Sequence, residues 1–392
     1  MTLLAGEHVV EPVELRSVAL RSGLVEVGVA PADRFHSTRA ILEERRAAGL
    51  HGGMWFTYGN PERSTDPGRI LKGARSLVVG AIAYYRALPS EDPASSRGAT
   101  GQPAILGRVA RHAWRDHYVE LREALGGVAA WLEERGYRAR VVADDNALVD
   151  REAAYRAGLG WYGKNSLILL PRRGSWFLLG SVVTDALVLP AQQTHSDWCG
   201  TCERCMRSCP TGALNRPGIL DARRCLAWLL QSPGWFPREH RVALGDRLYG
   251  CDTCQDVCPH NRIGVRREQP PVADEADEPF VEVLWILCAT DTEIMARLGR
   301  WYVPKREARF VKRNALLVLG NTADPRDPRV RAALHANLNS SDPLLRGHAV
   351  WACARLGMES LLSALRHNES DPRVLDELEA ISEVPLRERF ES

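Results

Sequence analysis

The first half of the chain alternates between segments with the apolar spacing of a helix and short, almost entirely apolar segments. Residues 13–24 (VELRSVALRSGL) and 118–136 (YVELREALGGVAAWLEERG) carry apolar side chains three and four positions apart, which predicts amphipathic helices. Gly136 is the expected C-terminal stop of the second helix. Strands are predicted in the segments VEVGVAP, ARSLVVGAIAYY, YRARVVAD, SLILLP and SWFLLGSVVTDALVLP. This alternation predicts an α/β domain over residues 1–190, with a sheet covered by helices.

The final third, residues 263–392, has helical spacing throughout and an internal repeat. Four residues recur after 37 positions: Arg309, Ala315, Leu319 and Gly320 return as Arg346, Ala352, Leu356 and Gly357. Asp-Pro pairs at 327–328, 342–343 and 371–372 separate the helices. A period near 40 predicts an all-α domain of HEAT-like repeats, whose concave faces bind large partners. The stretch 89–103 (PSEDPASSRGATGQP) predicts a surface loop.

Eight of the ten cysteines lie between these two regions, in the segment 191–262. The first run, Cys-x2-Cys-x2-Cys-x3-Cys-Pro, has the spacing of bacterial ferredoxins, in which the fourth cysteine reaches the other cluster. The segment is therefore predicted to form a ferredoxin-like domain with two [4Fe–4S] clusters. The crossed pattern assigns one cluster to Cys199, Cys202, Cys205 and Cys258, and the other to Cys209, Cys225, Cys251 and Cys254.

Zinc and disulfides are the alternatives for these cysteines. Structural zinc commonly uses two separated Cys-x2-Cys pairs and does not require the Cys-Pro that ends each run. Disulfides at such dense spacing would be strained, and no secretory signal is evident. The spacing therefore favours clusters. The outlying Cys288 and Cys353 stand in apolar helical segments, where we expect them to be buried as small hydrophobic residues.

The amino-acid composition limits the kinds of protein to which the chain can belong. The chain has 392 residues, 45% hydrophobic and 26% charged, with a net charge of +2, which suits two or three ordinary domains. No apolar run approaches the roughly 18 residues needed to span a bilayer, and an acidic N-terminus predicts a cytoplasmic protein. Charge is concentrated locally in five basic residues, Lys305, Arg306, Arg309, Lys312 and Arg313. This segment fits either a nucleic-acid phosphate backbone or a solvated helix face.

Two further patterns bear on catalysis. Gly158-x-Gly160-x2-Gly163 matches a dinucleotide fingerprint, but a helix precedes it and a strand follows, which is the reverse of the required order. We expect tight turns there instead, with Lys164 either facing a ligand or on the surface. Asp144 and Asp145 follow a predicted strand; one is expected to cap the next helix and the other to be free for proton transfer.

Several motifs together resemble the epoxyqueuosine reductase family over nearly the whole chain. They are HGGMWF, GLGWYGKNSLIL, CGTCERCMRSCPTGAL, RRCLAWLL, GDRLYGCDTCQDVCPHN and RNALLVLGN. The resemblance implies an enzyme, related to reductive dehalogenases, that reduces the epoxide of epoxyqueuosine at the tRNA wobble position to queuosine. It implies cobalamin beside two [4Fe–4S] clusters, and a base-off cofactor, since the chain has no Asp-x-His-x-x-Gly run. We also expect an external electron donor of the flavodoxin or ferredoxin type, and a monomer.

The same resemblance assigns roles to individual residues. Asp144 falls on the family's proton-donating aspartate next to the cofactor. Arg63 falls on a cofactor-contacting arginine, and Lys164, Asn165 and Ser166 follow the glycine turn that borders the cofactor. The basic residues of the helical domain would then bind tRNA.

The sequence departs from the family pattern at 144–150, at 227–231 and at His260, near the substrate pocket rather than at the ligands. A paralogous cobalamin-dependent reductase with another substrate is therefore an alternative. A second alternative is an iron–sulfur electron carrier that docks a partner protein through its repeats. A small-molecule reductive dehalogenase fits less well, because it leaves the basic segment without a purpose.

Overall fold

The structure, a computed structural model, describes residues 9–89, 103–190 and 198–387. The chain divides into two compact units. The first comprises Met1–Ala87, Asp116–Cys225 and Asp252–Pro271, and the second comprises Leu88–Arg115, Leu226–Cys251 and Val272–Ser392. These units differ from the three consecutive domains expected at 1–190, 191–262 and 263–392, because the chain passes between the units several times. Residues 90–102 of the predicted surface loop lie outside the described residues.

The strands of the described residues are, in chain order, β1 (Val9–Val10), β2 (Glu26–Pro31), β3 (Ser76–Ala83), β4 (Leu106–Val109), β5 (Ala139–Val142), β6 (Trp161–Tyr162), β7 (Ile168–Leu169), β8 (Phe177–Thr184), β9 (Leu187–Val188), β10 (Arg247–Tyr249) and β11 (Phe280–Glu282).

The α-helices are α1 (Pro12–Arg21), α2 (His36–Ala47), α3 (Pro61–Ser64), α4 (His117–Glu133), α5 (Asp150–Arg156), α6 (Arg204–Arg207), α7 (Leu226–Leu229), α8 (Arg238–Leu244), α9 (Thr253–Asp256), α10 (Pro259–Glu268), α11 (Val283–Cys288), α12 (Asp291–Leu298), α13 (Arg309–Thr322), α14 (Pro328–Leu338), α15 (Pro343–Arg355), α16 (Ser363–Asn368) and α17 (Pro372–Glu379). No helix of the described residues is long and apolar enough to cross a membrane.

The first unit is built on a four-stranded sheet in the order β2-β3-β8-β5. The predicted strands and the two long amphipathic helices are confirmed, and α4 ends at Glu133, shortly before Gly136 turns the chain at φ +83°. Every pairing in this sheet is antiparallel. In a parallel α/β sheet, Asp144 would lie where the carboxyl ends of neighbouring strands meet. The antiparallel sheet of the described residues has no such edge. Asp144 lies on the loop that leaves β5.

Helices cover both faces of this sheet, as the sequence predicts. The central strand β3 is buried along almost its whole length. Its Val78 and Ile82 pack with apolar residues of α1 and α4, such as Leu125. Its Leu77 and Val79 pack on the opposite face with residues of α5. Burial on both faces explains why β3 reads as a continuous apolar run. This core fixes the two loops, after β5 and after α5, that carry the predicted catalytic and cofactor residues.

The second unit combines a three-stranded sheet, β10-β4-β11, with the C-terminal helices. Helix α13 packs on α15, and α15 packs on α17. The predicted Asp-Pro helix starts are confirmed, because Asp327, Asp342 and Asp371 accept hydrogen bonds from the first backbone N–H groups of α14, α15 and α17. The proline at the first helical position has no N–H to satisfy. The HEAT-like character of these repeats stays a prediction.

The two cysteines outside the cluster segment, Cys288 and Cys353, differ in burial. Cys353 is fully buried within α15, as expected, and burial raises the pKa of its thiol to about 12. The expectation for Cys288 is wrong, because it is exposed at the end of α11. Residues Val283, Leu284, Ile286 and Leu287 bury the apolar face of this short helix, and Cys288 falls outside that face.

Candidate active site

Four of the predicted ligand cysteines face one another in the first unit. Burial, followed by the neighbouring thiols of Cys258 and Cys199, raises the pKa of Cys205. Burial and the thiols of Cys199 and Cys202 raise the pKa of Cys258, which the backbone N–H groups of Asn261 and His260 partly offset. Thiolates that repel one another need a compensating positive charge, which iron would supply. The arrangement therefore fits the first predicted cluster.

A cubane differs from a single-ion site because each thiolate binds a different iron atom. No three His, Cys, Asp or Glu side chains in the described part of the chain are placed to hold one metal ion.

Cys209, the predicted ligand that follows the first three, lies in a separate backbone environment. Its sulfur accepts a hydrogen bond from the N–H of Ala213 at 3.2 Å and lies 3.7 Å from Thr211 Oγ1. Burial raises its pKa, but N–H groups of this loop outweigh burial and lower the pKa overall. N–H donors stabilise a thiolate and suit a cluster ligand. The set Cys209, Cys225, Cys251 and Cys254 stays a prediction.

The glycine turn packs directly against the first cysteine set. Trp161 is buried among Leu169 and Cys258, and its ring lies 5.0 Å from that of Trp198 and 5.2 Å from that of His260. A helix precedes this turn and a strand follows, as the rejection of a dinucleotide site requires. The Lys164 ammonium donates a hydrogen bond to the carbonyl of Gly200 at 2.6 Å. Lys164 therefore ties the turn to the cysteine loop.

The residues after Lys164 form a tight, buried turn with one unused polar group. A Cβ at Gly160 would lie 2.0 Å from the carbonyl oxygen of Leu169, so only glycine fits there. Asn165 is buried, and its side-chain oxygen accepts the N–H of Leu167 at 3.3 Å. Ser166 is buried at φ +66°, and its Oγ has no hydrogen-bond partner within the described residues. A buried hydroxyl without a partner suits contact with a polar group of a bound molecule.

Asp144 lies two residues beyond the end of β5, with a left-handed φ of +53°. Its side chain is exposed, yet the protein around it still desolvates the carboxyl enough to raise its pKa above the ordinary aspartate value. Arg122 opposes this rise, and Asp145 and Asp116 add to it. A carboxyl that keeps its proton toward neutral pH can act as a general acid.

Asp145 is the structural member of the pair, although it does not cap a helix. Its Oδ1 accepts the N–H of Ala147 at 2.9 Å, which closes a turn within the loop. Helix α5 begins only at Asp150, and Val149 precedes it without a side-chain cap. The expectation of a helix N-cap at 144–145 is therefore wrong, because the loop is longer than the sequence suggested.

Asp150 and Arg63 lie next to the aspartate loop. Asp150 is the first residue of α5, and in the sequence it is noted only as a departure from the family pattern. Burial, and then the charge of Asp144, raise the pKa of its carboxyl well above the usual value. Arg63 is exposed on α3, and the neighbouring Ser64 carbonyl accepts the N–H of Val149 at 3.0 Å. The structure therefore brings the Arg63 segment against the aspartate loop.

The basic residues of the second unit that are predicted to bind tRNA have different environments. Lys305 and Arg306 are exposed on a turn with left-handed φ angles. Lys312 pairs with Asp291 at 2.9 Å, and Arg309 pairs with Asp342 at 2.8 Å.

The expectation for Arg313 is wrong, because its side chain is fully buried. Its guanidinium donates hydrogen bonds to backbone carbonyls of the segment 229–234, including Ser232 at 2.9 Å and Gly234 at 2.6 Å. Burial, and then Arg241, lower its pKa to about 9. Arg313 therefore holds this segment in place and cannot contact a phosphate.

One unit therefore holds both a set of four facing cysteines and a loop whose Asp144 carboxyl has a raised pKa, which is typical of an iron–sulfur oxidoreductase. Residues 198–261 match the family described as a 4Fe-4S double cluster binding domain. The epoxyqueuosine reductase of Bacillus anthracis is 32% identical over 364 residues, covering 91% of this chain and 92% of the relative. That of Listeria monocytogenes is 33% identical over 378 residues, covering 94% and 96%. The chain belongs to the epoxyqueuosine reductase family.

Solved structures of this family share the fold. An epoxyqueuosine reductase with a tRNA-Tyr epoxyqueuosine-modified tRNA stem loop superposes with a TM-score of 0.82 at 30% identity, covering 95% of this chain and 97% of the other. A Bacillus subtilis enzyme, described with an aspartate-bearing catalytic loop swung out of the active site, superposes with a TM-score of 0.83 at 30% identity, covering 95% and 98%.

Proposed function

We propose that this chain reduces the epoxide of epoxyqueuosine at the wobble position of tRNA to queuosine. The observation that carries the proposal is Asp144, a carboxyl with a raised pKa on a loop of the unit that also holds the first cysteine set. The Bacillus subtilis relative is described with a catalytic loop that bears an aspartate. An electron carrier that only docks a partner would not need such a carboxyl.

Removal of an epoxide oxygen as water requires two electrons and two protons. The [4Fe–4S] clusters pass electrons one at a time, and Cys199, Cys202, Cys205 and Cys258 would hold the first of them. Asp144 donates a proton to the leaving oxygen, because the surrounding protein keeps its carboxyl protonated at a higher pH than usual. Protonation turns a poor leaving group into a better one.

A base-off cobalamin fits the residues around the glycine turn. Ser166 offers a buried hydroxyl without a protein partner among the described residues, and Asn165 and Lys164 lie in the same turn. Arg63 borders the loop of Asp144 through the hydrogen bond of Ser64. When bound, cobalamin supplies a strongly reducing cobalt centre for two-electron chemistry.

We place the tRNA contacts on Lys305, Arg306, Arg309 and Lys312 in the second unit. Lys305 and Arg306 are exposed. Arg309 also lines a recess of about 370 Å³ together with Trp235 and Arg373. Guanidinium groups bind phosphates and an aromatic ring can stack on a base, so the recess suits RNA. A relative has been crystallised with a tRNA stem loop.

The remaining features of the proposal are the expectations from the sequence. We propose a monomer in the cytoplasm that receives electrons from a flavodoxin- or ferredoxin-type donor, and HEAT-like repeats in the second unit.

The decisive experiment is an anaerobic assay of the reconstituted protein with a stem loop that contains epoxyqueuosine. Mass spectrometry should show the loss of one oxygen atom, and omission of cobalamin should abolish it. Visible spectra before and after cobalamin addition show whether the cofactor binds. Full cluster and cobalamin loading without any oxygen loss would reject the proposal in favour of another substrate. Clusters without cobalamin binding would favour the electron carrier.

A further inference from the structure

Asp150 places a second carboxyl beside the catalytic loop, six residues after Asp144. Its Oδ1 atom is buried and has no hydrogen-bond partner within the described residues. After burial, the charge of Asp144 is the largest cause that raises the pKa of this carboxyl, so the two carboxyl groups lie near each other. A buried carboxyl oxygen without a partner is costly unless a proton, a water molecule or a ligand completes it. The carboxyl group near Asp144 thus has one oxygen atom without a partner within the described residues.

The charges around this carboxyl favour its neutral form. Burial is the largest cause of its raised pKa, Asp144 and Asp145 raise it further, and Arg151 on α5 partly opposes them. From α4, the Tyr118 hydroxyl lies within electrostatic range of both Asp144 and Asp150. The groups that face Asp144 itself are Arg122, Asp145 and Asp116. Among the described residues, the cation that acts on Asp150 is Arg151, and it does not outweigh burial.

The chemistry of the proposed reaction requires two protons and offers only one obvious donor. Both C–O bonds of the epoxide break, a C=C bond forms, and the oxygen leaves as water. The external donor would supply the two electrons through the bound clusters, and each proton ends on the departing oxygen. Asp144 can deliver one proton and is then a carboxylate. It must regain a proton before it can deliver the second.

We propose that Asp150 holds the second proton of the reaction and returns Asp144 to its acid form between the two proton transfers. Asp150 acts through Asp144 and does not touch the substrate. The inference rests on the proposed function, since that reaction sets the demand for two protons. In this scheme Asp150 loses one proton and Asp144 gains it, and solvent restores Asp150 after the product has left.

The test compares Asp150→Asn with Asp150→Glu in the cluster- and cobalamin-loaded protein. Asparagine keeps the size of the side chain and one acceptor oxygen but carries no transferable proton, whereas glutamate keeps the proton. We expect Asp150→Asn to lose on the order of 10²-fold in turnover, at the lower end of what a positioned proton donor contributes. Added formate or imidazole should restore part of that rate, and Asp150→Glu should retain most of it. Asp145→Asn, in the same loop, is the matched control.

A readout that does not depend on activity is the infrared band of the protonated carboxyl near neutral pH. Asp150→Asn should remove a band that Asp145→Asn leaves in place. The proposal falls if Asp150→Asn turns over normally, if small acids restore nothing, or if no carboxyl band is lost. Inactivity of the unaltered protein on the epoxyqueuosine stem loop would instead count against the proposed function, while the infrared result would still report on the buried proton.

Discussion

Replacement of Asp144 by asparagine separates proton donation from every other role of the loop. Asparagine has the same size and tolerates the left-handed φ of +53° at least as well as aspartate, so the backbone should not change. The loss is confined to the transferable proton. A positioned general acid contributes about 10²–10⁴-fold, which corresponds to about 3–5 kcal/mol in the activation barrier. We expect turnover to fall by that factor while iron and cobalamin contents stay normal.

The neighbouring aspartate provides the control within the same loop. Asp145 accepts the N–H of Ala147 at 2.9 Å, and an asparagine oxygen can accept the same bond. Asp145→Asn should therefore leave both turnover and stability almost unchanged. Asp145→Ala removes the acceptor and should cost about 1 kcal/mol in the free energy of unfolding, measured by denaturant titration.

The pH dependence of the single-turnover rate shows whether Asp144 acts in its acid form. The folded protein raises the pKa of Asp144, so the acid form persists above the ordinary aspartate range and is lost as the pH rises through the raised value. Single-turnover rates of pre-reduced enzyme should fall over that window, and Asp144→Asn should lack the fall. Full activity in Asp144→Asn, or a larger loss in Asp145→Asn, would refute the assignment.

Three further predictions concern other parts of the chain. Cys225→Ser should reduce the iron content from about eight atoms toward four and spare the first cluster in EPR spectra; two intact clusters would reject the ligand set. Alanine at Lys305 and Arg306 should lower the log–log salt slope of tRNA binding by roughly one unit for each phosphate that the variant no longer neutralises, whereas Arg326→Ala, which removes an exposed arginine outside the proposed contact set, should change it little. Arg313→Met leaves several buried carbonyls without donors and should lower the free energy of unfolding by about 3–5 kcal/mol; a stable variant with normal thermal unfolding would show that water replaces the guanidinium.

Local patterns predicted the features that depend on neighbours in sequence. The cysteine spacing predicted the facing set of Cys199, Cys202, Cys205 and Cys258, and the Asp-Pro pairs predicted the starts of three helices. Periodicity predicted the long helices and the buried strand β3. Each of these is decided within a few residues of chain, where hydrogen bonding and apolar spacing leave few alternatives.

Burial of polar residues could not be predicted in the same way. Arg313 belongs to a basic run, and its environment depends on carbonyls about 80 residues earlier in the chain. Asp150 lies in a polar stretch, and only the folded loop buries its Oδ1 atom and brings its carboxyl near Asp144. A buried cation or acid is decided by tertiary partners. Spacing therefore predicted the cysteine set, and the family resemblance supplied Asp144, but neither indicated that the pKa of the Asp150 carboxyl is raised.

Backbone conformation supports the two proposed sites by an independent route. The described residues include seven non-glycine positions with positive φ, and four of them are Asp144, Ser166, Lys305 and Arg306. Such a conformation costs roughly 1–2 kcal/mol per residue and persists only where the surrounding structure imposes it. Of these four, only Asp144 belongs to a residue type that adopts this region readily. Both the cofactor turn and the exposed basic turn thus retain a backbone strain that folding alone would not favour, which supports a functional constraint at each.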